Sequence, residues 1–215
     1  MKIACTADWH IHQFQDFSKQ ITVSWDNANK RFINDPEGKE MNSRLFNVLS
    51  GICDLRDYCE KNGINYVLNA GDVFHKRGSI NVETFNSSYK VIESFRDSGI
   101  EVISIAGNHD QVDSSIKPST SIHTLNKIMT VIEEPSVYCT SKLRICCLPY
   151  SRDKEFIMSS LGDFAERENR STSILLAHLG ISGGAVGSGM YLMSDEYTLD
   201  DLKSNSWKYV VLGHY

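Results

Sequence analysis

Five short apolar runs punctuate the chain, and each one ends just before a side chain that can bind a metal ion. The runs are rich in valine and isoleucine and are short, which predicts buried β-strands. They occupy residues 3–7, 64–70, 102–106, 174–177 and 209–212. Because ligand-binding loops gather at the carboxyl ends of strands in α/β proteins, the polar residues after the runs are predicted to meet at one sheet edge.

The segments between the second and third runs, and between the first and second, each contain a predicted α-helix. Apolar residues recur at helical spacing after Asn42 and Ser43, either of which can cap a helix that ends near Gly63. A second helix is predicted over residues 82–96 and closes at Gly99. The order strand, helix, strand, helix, strand predicts a parallel βαβ core.

The remaining segments show a less regular pattern. Residues 12–40 look irregular and mix aromatic with basic side chains, which predicts either a surface loop packed by its own aromatics or a loop that contacts substrate. The glycine-rich residues 180–189 lack a phosphate-binding fingerprint and predict a flexible loop beside the site. After residue 110, the pattern predicts a helix over 119–127, strands over 130–132, 136–139 and 143–148 with antiparallel or mixed pairing, and a helix over 153–168.

Length and composition favour one soluble domain. The 215 residues, 41% of them apolar, suffice for one substantial core. No stretch approaches the roughly 20 apolar residues that span a bilayer, and the six cysteines lack Cys-x-x-Cys pairs and predict buried free thiols in a reducing cytoplasm. The net charge of −5 argues against a polyanionic substrate, but two divalent cations would add about +4 at the site itself.

The polar residues after the five runs form a donor set that suits divalent cations. The set is Asp8, His10, Asp72, His75, Asn108, His109, His178 and His214. Oxygen and imidazole donors without thiolate predict Mn²⁺, Fe or Zn²⁺. Two such ions about 3.5 to 4 Å apart would hold a hydroxide in line with a phosphorus atom, which predicts phosphoester hydrolysis. Asp72 can bridge the ions, and His109, directly after Asn108, can protonate the leaving oxygen.

Five motifs in this order resemble those of the calcineurin-like metallophosphoesterases, and they extend over the whole chain. The motifs are Asp8-Trp-His10, Gly71-Asp72-Val-Phe-His75, Gly107-Asn108-His109-Asp110, Ala177-His178 and Gly213-His214. Within that superfamily, Asp-Trp-His, Gly-Asp-Val-Phe-His-Lys-Arg-Gly and Asn-His-Asp are similar to the SbcD-type nuclease subunit. His12 and the loop after it are similar to phage-encoded versions.

The resemblance implies an α/β fold of two mixed β-sheets sandwiched between helices, in four layers. It also implies a di-manganese site that cuts DNA phosphodiesters in repair and recombination, with His109 serving the leaving group and His75 contacting the scissile phosphate. The implied partners are DNA, a coiled-coil ABC-type ATPase subunit of the SbcC kind and a second copy of the chain. The implied ligands are Asp8 and His10 for one ion, Asp72 as the bridge, and Asn108, His178 and His214 for the other ion.

The last motif of the family reads Gly-His-x-His, and this chain stops at Tyr215, one residue before the second histidine. We therefore expect residues 1–215 to be a C-terminally truncated nuclease domain that binds its first metal weakly. The intact protein is expected to continue into further strands and a DNA-binding cap.

Two other functions fit the same residues. A phosphodiesterase or phosphatase for small substrates would use the same metal site, and the lack of a basic surface favours it. A non-catalytic scaffold would keep the fold without metals, but it predicts loss of the ligand residues, all of which are present up to His214.

Overall fold

The computed structural model describes residues 1–113, 118–183, 185–186, 191–192 and 196–214. Its strands are β1 Ala4–Thr6, β2 Gln20–Asp26, β3 Arg31–Asn34, β4 Lys39–Asn42, β5 Tyr66–Asn69, β6 Glu101–Ile105, β7 Thr130–Ile132, β8 Ser136–Cys139, β9 Arg144–Leu148, β10 Ser173–His178, β11 Ala185–Val186, β12 Tyr191–Leu192 and β13 Tyr209–Gly213. Its α-helices are α1 Ser43–Asn62, α2 Val82–Asp97 and α3 Lys154–Arg167. The predicted α/β class is confirmed.

The first sheet is parallel and has the strand order β1-β5-β6-β7. The two predicted helices connect its strands. The Asn42 side chain accepts hydrogen bonds from the first backbone N–H groups of α1, and Gly63 ends that helix in the left-handed region, with φ of 63°. Asn81 caps α2 in the same way. The βαβ prediction for this half of the chain is therefore confirmed.

The second sheet is mixed and has the strand order β13-β10-β9-β8. Strands β13, β10 and β9 run parallel, whereas β8 is antiparallel to β9. All six residues of β10 are buried, as expected for a central strand covered on both faces. Helix α3 follows β9 and begins at the predicted position, where the Asp153 side chain accepts a hydrogen bond from the Phe156 N–H.

Three apolar clusters hold four layers together. The first lies between α1, α2 and the first sheet, and the second lies between α3 and the second sheet. The third joins the two sheets face to face through Leu68, Ile103, Ile105, Ile145 and Leu176. The order helices, sheet, sheet, helix matches the predicted four-layer arrangement and places the carboxyl ends of both sets of parallel strands side by side.

The segment over residues 12–40 corrects the prediction of an irregular loop. From Gln20 onwards it forms a three-stranded antiparallel sheet of order β3-β2-β4. Val23 and Met41 are buried against the helices, while Trp25 and Phe32 pair across strands with ring centroids 5.0 Å apart. Residues Gln20–Asp26 alternate polar and apolar side chains, which is the pattern of a half-buried strand that the prediction overlooked. A turn after Asp26 separates this strand from the next.

Three smaller predictions need revision. The helix predicted over 119–127 is only a short 3₁₀ turn over His123–Lys127. Four cysteines are buried, but Cys5 and Cys139 are exposed, so burial does not explain all six. The predicted flexible loop over 180–189 lies partly outside the described residues; within it, the backbone of β11 pairs with β12. Among the described helices, none is long and apolar enough to cross a membrane.

Candidate metal centre

All eight predicted site residues lie at the carboxyl ends of strands, and these strands belong to two sheets rather than to one. Six of them, Asp8, His10, Asp72, His75, Asn108 and His109, lie in the loops that follow β1, β5 and β6 of the first sheet. The other two are His178, at the end of β10, and His214, directly after β13, and both of these strands belong to the second sheet. The loop after β1 runs along the loop after β5, because the Asp8 N–H donates to the Gly71 carbonyl and the His10 N–H to the Asp72 carbonyl, both at 3.0 Å. The predicted convergence is correct, but the single sheet edge is not.

Trp9 explains why its two neighbours can face the same centre. Its side chain is buried in the core, and its indole N–H donates to Thr6 Oγ1 at 2.9 Å. The residues on either side, Asp8 and His10, have positive φ angles of 54° and 44°. The chain therefore leaves β1 in an unusual conformation that anchors Trp9 and turns both polar side chains to the site.

Positive φ angles recur at other ligand positions. Asp72 has φ of 55° and His214 has φ of 110°. Non-glycine residues in such regions cost about 1–3 kcal/mol each and cluster at functional sites. The backbone at four of the predicted ligands is thus strained, and the surrounding hydrogen bonds hold it there.

Glycines allow the ligand loops to approach one another closely. A Cβ atom on Gly71 would lie 2.5 Å from Nδ1 of His178, and one on Gly107 would overlap the carboxylate of Asp72. A Cβ on Gly213 would overlap the carbonyl oxygen of Ala70. These motif glycines therefore provide the space in which the predicted ligand side chains meet.

His178 is held in the tautomer that a metal ligand needs. Its Nδ1–H donates to the Ala70 carbonyl at 2.6 Å, so Nε2 carries the lone pair. That nitrogen lies 2.9 Å from Oδ1 of Asn108, 3.2 Å from Nδ1 of His214 and 3.5 Å from Oδ2 of Asp72. Four electron-pair donors that converge on one point are well suited to a cation between them.

The Asn108 side chain faces the ring nitrogens of His178 and His214. With Oδ1 towards the rings, the oxygen lies 2.9 Å from the nitrogens of both His178 and His214. In the rotated orientation, the amide NH₂ donates to both rings and the oxygen accepts from Nη2 of Arg77 at 2.8 Å. A half-turn of this side chain therefore presents either a metal ligand or a hydrogen-bond donor.

Asp72 lies between two groups of ligand atoms. Its Oδ2 is 3.5 Å from Nε2 of His178 and 3.7 Å from Nε2 of His10, while its Oδ1 accepts the His109 N–H at 2.8 Å. Ligand atoms of Asp8, Asp72 and His178 all lie within 4.8 Å of one another. The Asp8 carboxylate is fixed by the His214 N–H at 3.1 and 3.2 Å. Asp72 therefore lies between the two groups of candidate ligands.

Electrostatics in the metal-free site also fits divalent cations. Burial raises the pKa of Asp72 to about 6 and raises that of Asp8. Burial lowers the pKa of His178 to about 3 and, together with neighbouring imidazoles, that of His10 to about 4. The imidazoles of His10 and His178 are therefore neutral near pH 7, which is the form that binds a metal ion.

His75 and His109 form one unit beside these ligands. Nδ1–H of His109 donates to the His75 carbonyl at 2.6 Å, and the two rings stack with centroids 5.2 Å apart. Nδ1 of His75 lies 3.4 Å from Nδ1 of His10. Ring nitrogens of all three histidines lie within 4.8 Å of one another. These three histidines thus form a second group of candidate metal ligands, and all three belong to the donor set predicted from the sequence.

Asp110 is a site residue whose role the sequence did not reveal. Its buried carboxylate accepts hydrogen bonds from the N–H groups of Val73, Phe74 and Gly107 at 3.3, 3.1 and 2.9 Å. Burial nevertheless raises its pKa to about 7. Asp110 ties the loop after β5 to the loop after β6 and so positions both Asp72 and Asn108. The sequence feature that could have pointed to Asp110 is its position in the motif Gly107-Asn108-His109-Asp110.

Tyr150 was missed because the first Asp or His after its strand, β9, is Asp153, which caps α3. Its ring lies 5.6 Å from that of His214 and 6.1 Å from that of His178. It also lines a cavity of about 300 Å³ beside these two histidines, together with Arg152, Lys154, Glu196 and Tyr197. The metal centre therefore has a polar recess on the side of the second sheet.

Comparisons with known proteins agree with this geometry. The chain is 26% identical over 171 residues to Exonuclease subunit 1 of Enterobacteria phage T4, an alignment that covers 78% of this chain and 48% of the relative. The chain thus spans about half the length of that curated relative. A family model described as calcineurin-like phosphoesterase matches residues 1–215. The chain therefore belongs to the calcineurin-like phosphoesterase family of metal-dependent hydrolases.

Proposed function

We propose that this protein is a DNA nuclease, with exonuclease or endonuclease activity, that hydrolyses phosphodiester bonds at a dinuclear metal centre. The observation that carries the proposal is Asp72, whose Oδ2 lies between His10 on one side and His178 on the other. The similarity to a phage exonuclease subunit supports DNA as the substrate. Residues 1–215 would form the nuclease domain of the protein.

The donor set present in the chain fits two ions that share one carboxylate. We assign one ion to Asp8, His10 and Asp72, and the other to Asp72 and the remaining three ligands, which are Asn108, His178 and His214. When bound, two divalent cations, with Mn²⁺ as our first choice, lower the pKa of a water to give a nucleophile and stabilise charge on the phosphate. The neutral imidazoles and the buried carboxylates are the protein's contribution to that affinity.

His109 is the residue we assign to the leaving group. Because its Nδ1–H is engaged by the His75 carbonyl at 2.6 Å, the exchangeable proton of the cationic ring is the one on Nε2. A proton donated from that atom would neutralise the leaving oxygen. His75 stacks on His109 and would help to orient the scissile phosphate.

Positive side chains next to the centre compensate for the overall acidity of the chain. Lys76 and Arg77 follow His75 directly and are exposed. Arg77 reaches the Asn108 amide and helps to lower the pKa of Asp72 against the larger, opposite effect of burial. Both cations can contact substrate phosphates, which suits a polyanionic substrate in spite of a net charge of −5.

Partners and cellular role follow from the same proposal. The T4 relative is named as a subunit, which supports a protein partner, and we propose a coiled-coil ATPase of the ABC type. A homodimer that acts in DNA repair or recombination in the cytoplasm completes the proposal.

The test compares two substrates in Mn²⁺ and in EDTA. We expect cleavage of end-labelled DNA and of bis-p-nitrophenyl phosphate in Mn²⁺, and loss of both in EDTA and in Asp72→Asn. The matched control Asp200→Asn changes an exposed aspartate and should behave like the unaltered protein. Cleavage of the small diester alone would instead indicate a small-substrate phosphodiesterase. Failure with both substrates, together with no binding of Mn²⁺, would indicate a scaffold.

A further inference from the structure

A short segment after His10 presents two rings beside the metal centre. Ile11 is buried and pairs with Phe74, and the Gln13 side chain donates to the Glu83 carboxylate at 2.5 Å. The alternate residues, His12 and Phe14, both contact the ring of His75 instead. The backbone of this segment is thus anchored through one set of residues, which leaves the other set beside the site.

The rings form a continuous surface. The centroid of Phe14 lies 4.8 Å from that of His75 and 5.1 Å from that of His12, and His12 lies 5.4 Å from His75. His75 in turn contacts His10 and His109 at 5.1 and 5.2 Å. We call His12 and Phe14 the stacking ridge. Both residues are partly exposed, so the ridge extends the metal centre along the protein surface.

Cations lie on both flanks of the ridge. The Arg44 guanidinium is 4.9 Å from the centroid of the Phe14 ring, and Nη1 of Arg44 is held by the Asp16 carbonyl at 3.1 Å. Lys76 is exposed and directly follows His75, whose ring both residues of the ridge contact. Aromatic faces interleaved with cations are the arrangement by which proteins bind single-stranded nucleic acid.

Two other aromatic residues of the segment 12–40, Trp25 and Phe32, pack against the first apolar cluster. Trp25 and Phe32 pair across β2 and β3, and the Lys90 ammonium covers Trp25 at 4.7 Å. Phe14 contacts His75 of the metal centre instead. Of the two predictions for this segment, self-packing thus describes Trp25 and Phe32, and substrate contact suits Phe14.

We propose that the stacking ridge is a nucleotide subsite: the base next to the scissile phosphate stacks on Phe14, and Arg44 and Lys76 contact the phosphates that flank it. This inference rests on the proposed nuclease function and deepens it. It requires a substrate whose bases are unpaired near the cut, because a base inside a duplex has no free face to offer.

Binding can be measured without metals or turnover. An oligonucleotide with 2-aminopurine loses fluorescence when the base stacks, so its Kd can be determined in EDTA. We expect Phe14→Ala and Phe14→Leu to raise the Kd about 5- to 100-fold, and Phe14→Tyr to restore it. The control is Phe17→Ala, which removes a fully exposed ring three residues away and should leave the Kd unchanged.

Hydrolysis of bis-p-nitrophenyl phosphate separates a subsite from a structural role. This diester has no base, so the Phe14 variants should hydrolyse it at the unaltered rate. An unchanged Kd in Phe14→Leu, or an equal loss on DNA and on the small diester, would overturn the subsite. If the unaltered protein hydrolyses the diester but neither binds nor cuts DNA, the nuclease proposal fails and the subsite with it. DNA cleavage that Phe14→Leu does not impair refutes the subsite alone.

Discussion

Replacement of Gly107 by alanine is expected to disrupt the proposed metal centre by displacing the backbone that positions Asp72. Gly107 follows β6, and its N–H donates to the buried Asp110 carboxylate at 2.9 Å. A Cβ on Gly107 would overlap both Oδ1 and the backbone nitrogen of Asp72. Asp72 has little freedom to move, because Oδ1 is also held by the His109 N–H at 2.8 Å. One of the two loops must therefore shift by about 1 Å to accommodate the methyl group.

The size of the expected losses of stability and activity follows from that shift of about 1 Å. Overpacking of this kind costs about 1–3 kcal/mol, which corresponds to a fall in Tm of about 2–12 °C for a chain of this size. Because Asp72 is the proposed bridging ligand, a displacement of about 1 Å should lower the rate of diester hydrolysis about 100-fold. The affinity for Mn²⁺ should fall as well.

Calorimetry with Mn²⁺ and thermal unfolding provide the assays. The matched control is Gly51→Ala, since a Cβ at that exposed position in α1 meets nothing within 4 Å. That variant should be stabilised by about 0.5–1 kcal/mol and bind Mn²⁺ normally. If Gly107→Ala changed neither the affinity for Mn²⁺ nor the Tm, the argument that Asp72 needs the space left by the missing side chain of Gly107 would be refuted.

Three further predictions concern chemistry, stability and the metals. His109→Ala should lower kcat about 10²- to 10⁴-fold, and its affinity for Mn²⁺, measured by calorimetry, should be unchanged. As a control, replacement of the exposed His123 by alanine should change neither kcat nor the affinity for Mn²⁺. Arg56 is buried and donates to the Lys30 carbonyl and to Ser94 Oγ at 2.5 and 2.7 Å, so Arg56→Ala should reduce the free energy of unfolding in urea by about 3 kcal/mol. Removal of Mn²⁺ from a concentration of about 100 times its Kd should lower the Tm by about 5–10 °C. An unchanged kcat in His109→Ala, an unchanged urea midpoint in Arg56→Ala or an unchanged Tm after removal of Mn²⁺ would contradict the corresponding prediction.

The strand ends were predictable because of how parallel sheets are buried. A strand covered on both faces reads as a continuous apolar run, so its last residue is visible in the sequence. The first polar residues beyond the run are then the ones that reach the site, as with Asp8, Asp72 and Asn108. The capped start of α1 at Asn42 was predictable for a similarly local reason. Both kinds of signal depend only on neighbours in the chain.

Features that depend on distant contacts could not be predicted from the pattern. The division of the strands between two sheets is set by face-to-face packing, in which Leu68 of one sheet and Leu176 of the other belong to the same apolar cluster. The role of Asp110 depends on N–H groups of Val73 and Phe74, which lie far away in the chain. The sheet formed by β2, β3 and β4 was predictable only in part, because β2 alternates polar and apolar residues whereas β3 and β4, of four residues each, are too short to show a clear pattern.

The strained backbone of the ligands indicates how stability and function are balanced in this protein. Asp8, His10, Asp72 and His214 all have positive φ, and each is expected to cost about 1–3 kcal/mol. Buried carboxylates with raised pKa values add to that cost in the metal-free state. Bound cations would relieve the electrostatic part by pairing with the carboxylates, but they would leave the backbone unchanged. The strain must therefore be offset by the apolar clusters beneath the site, which join the two sheets to each other and to the helices.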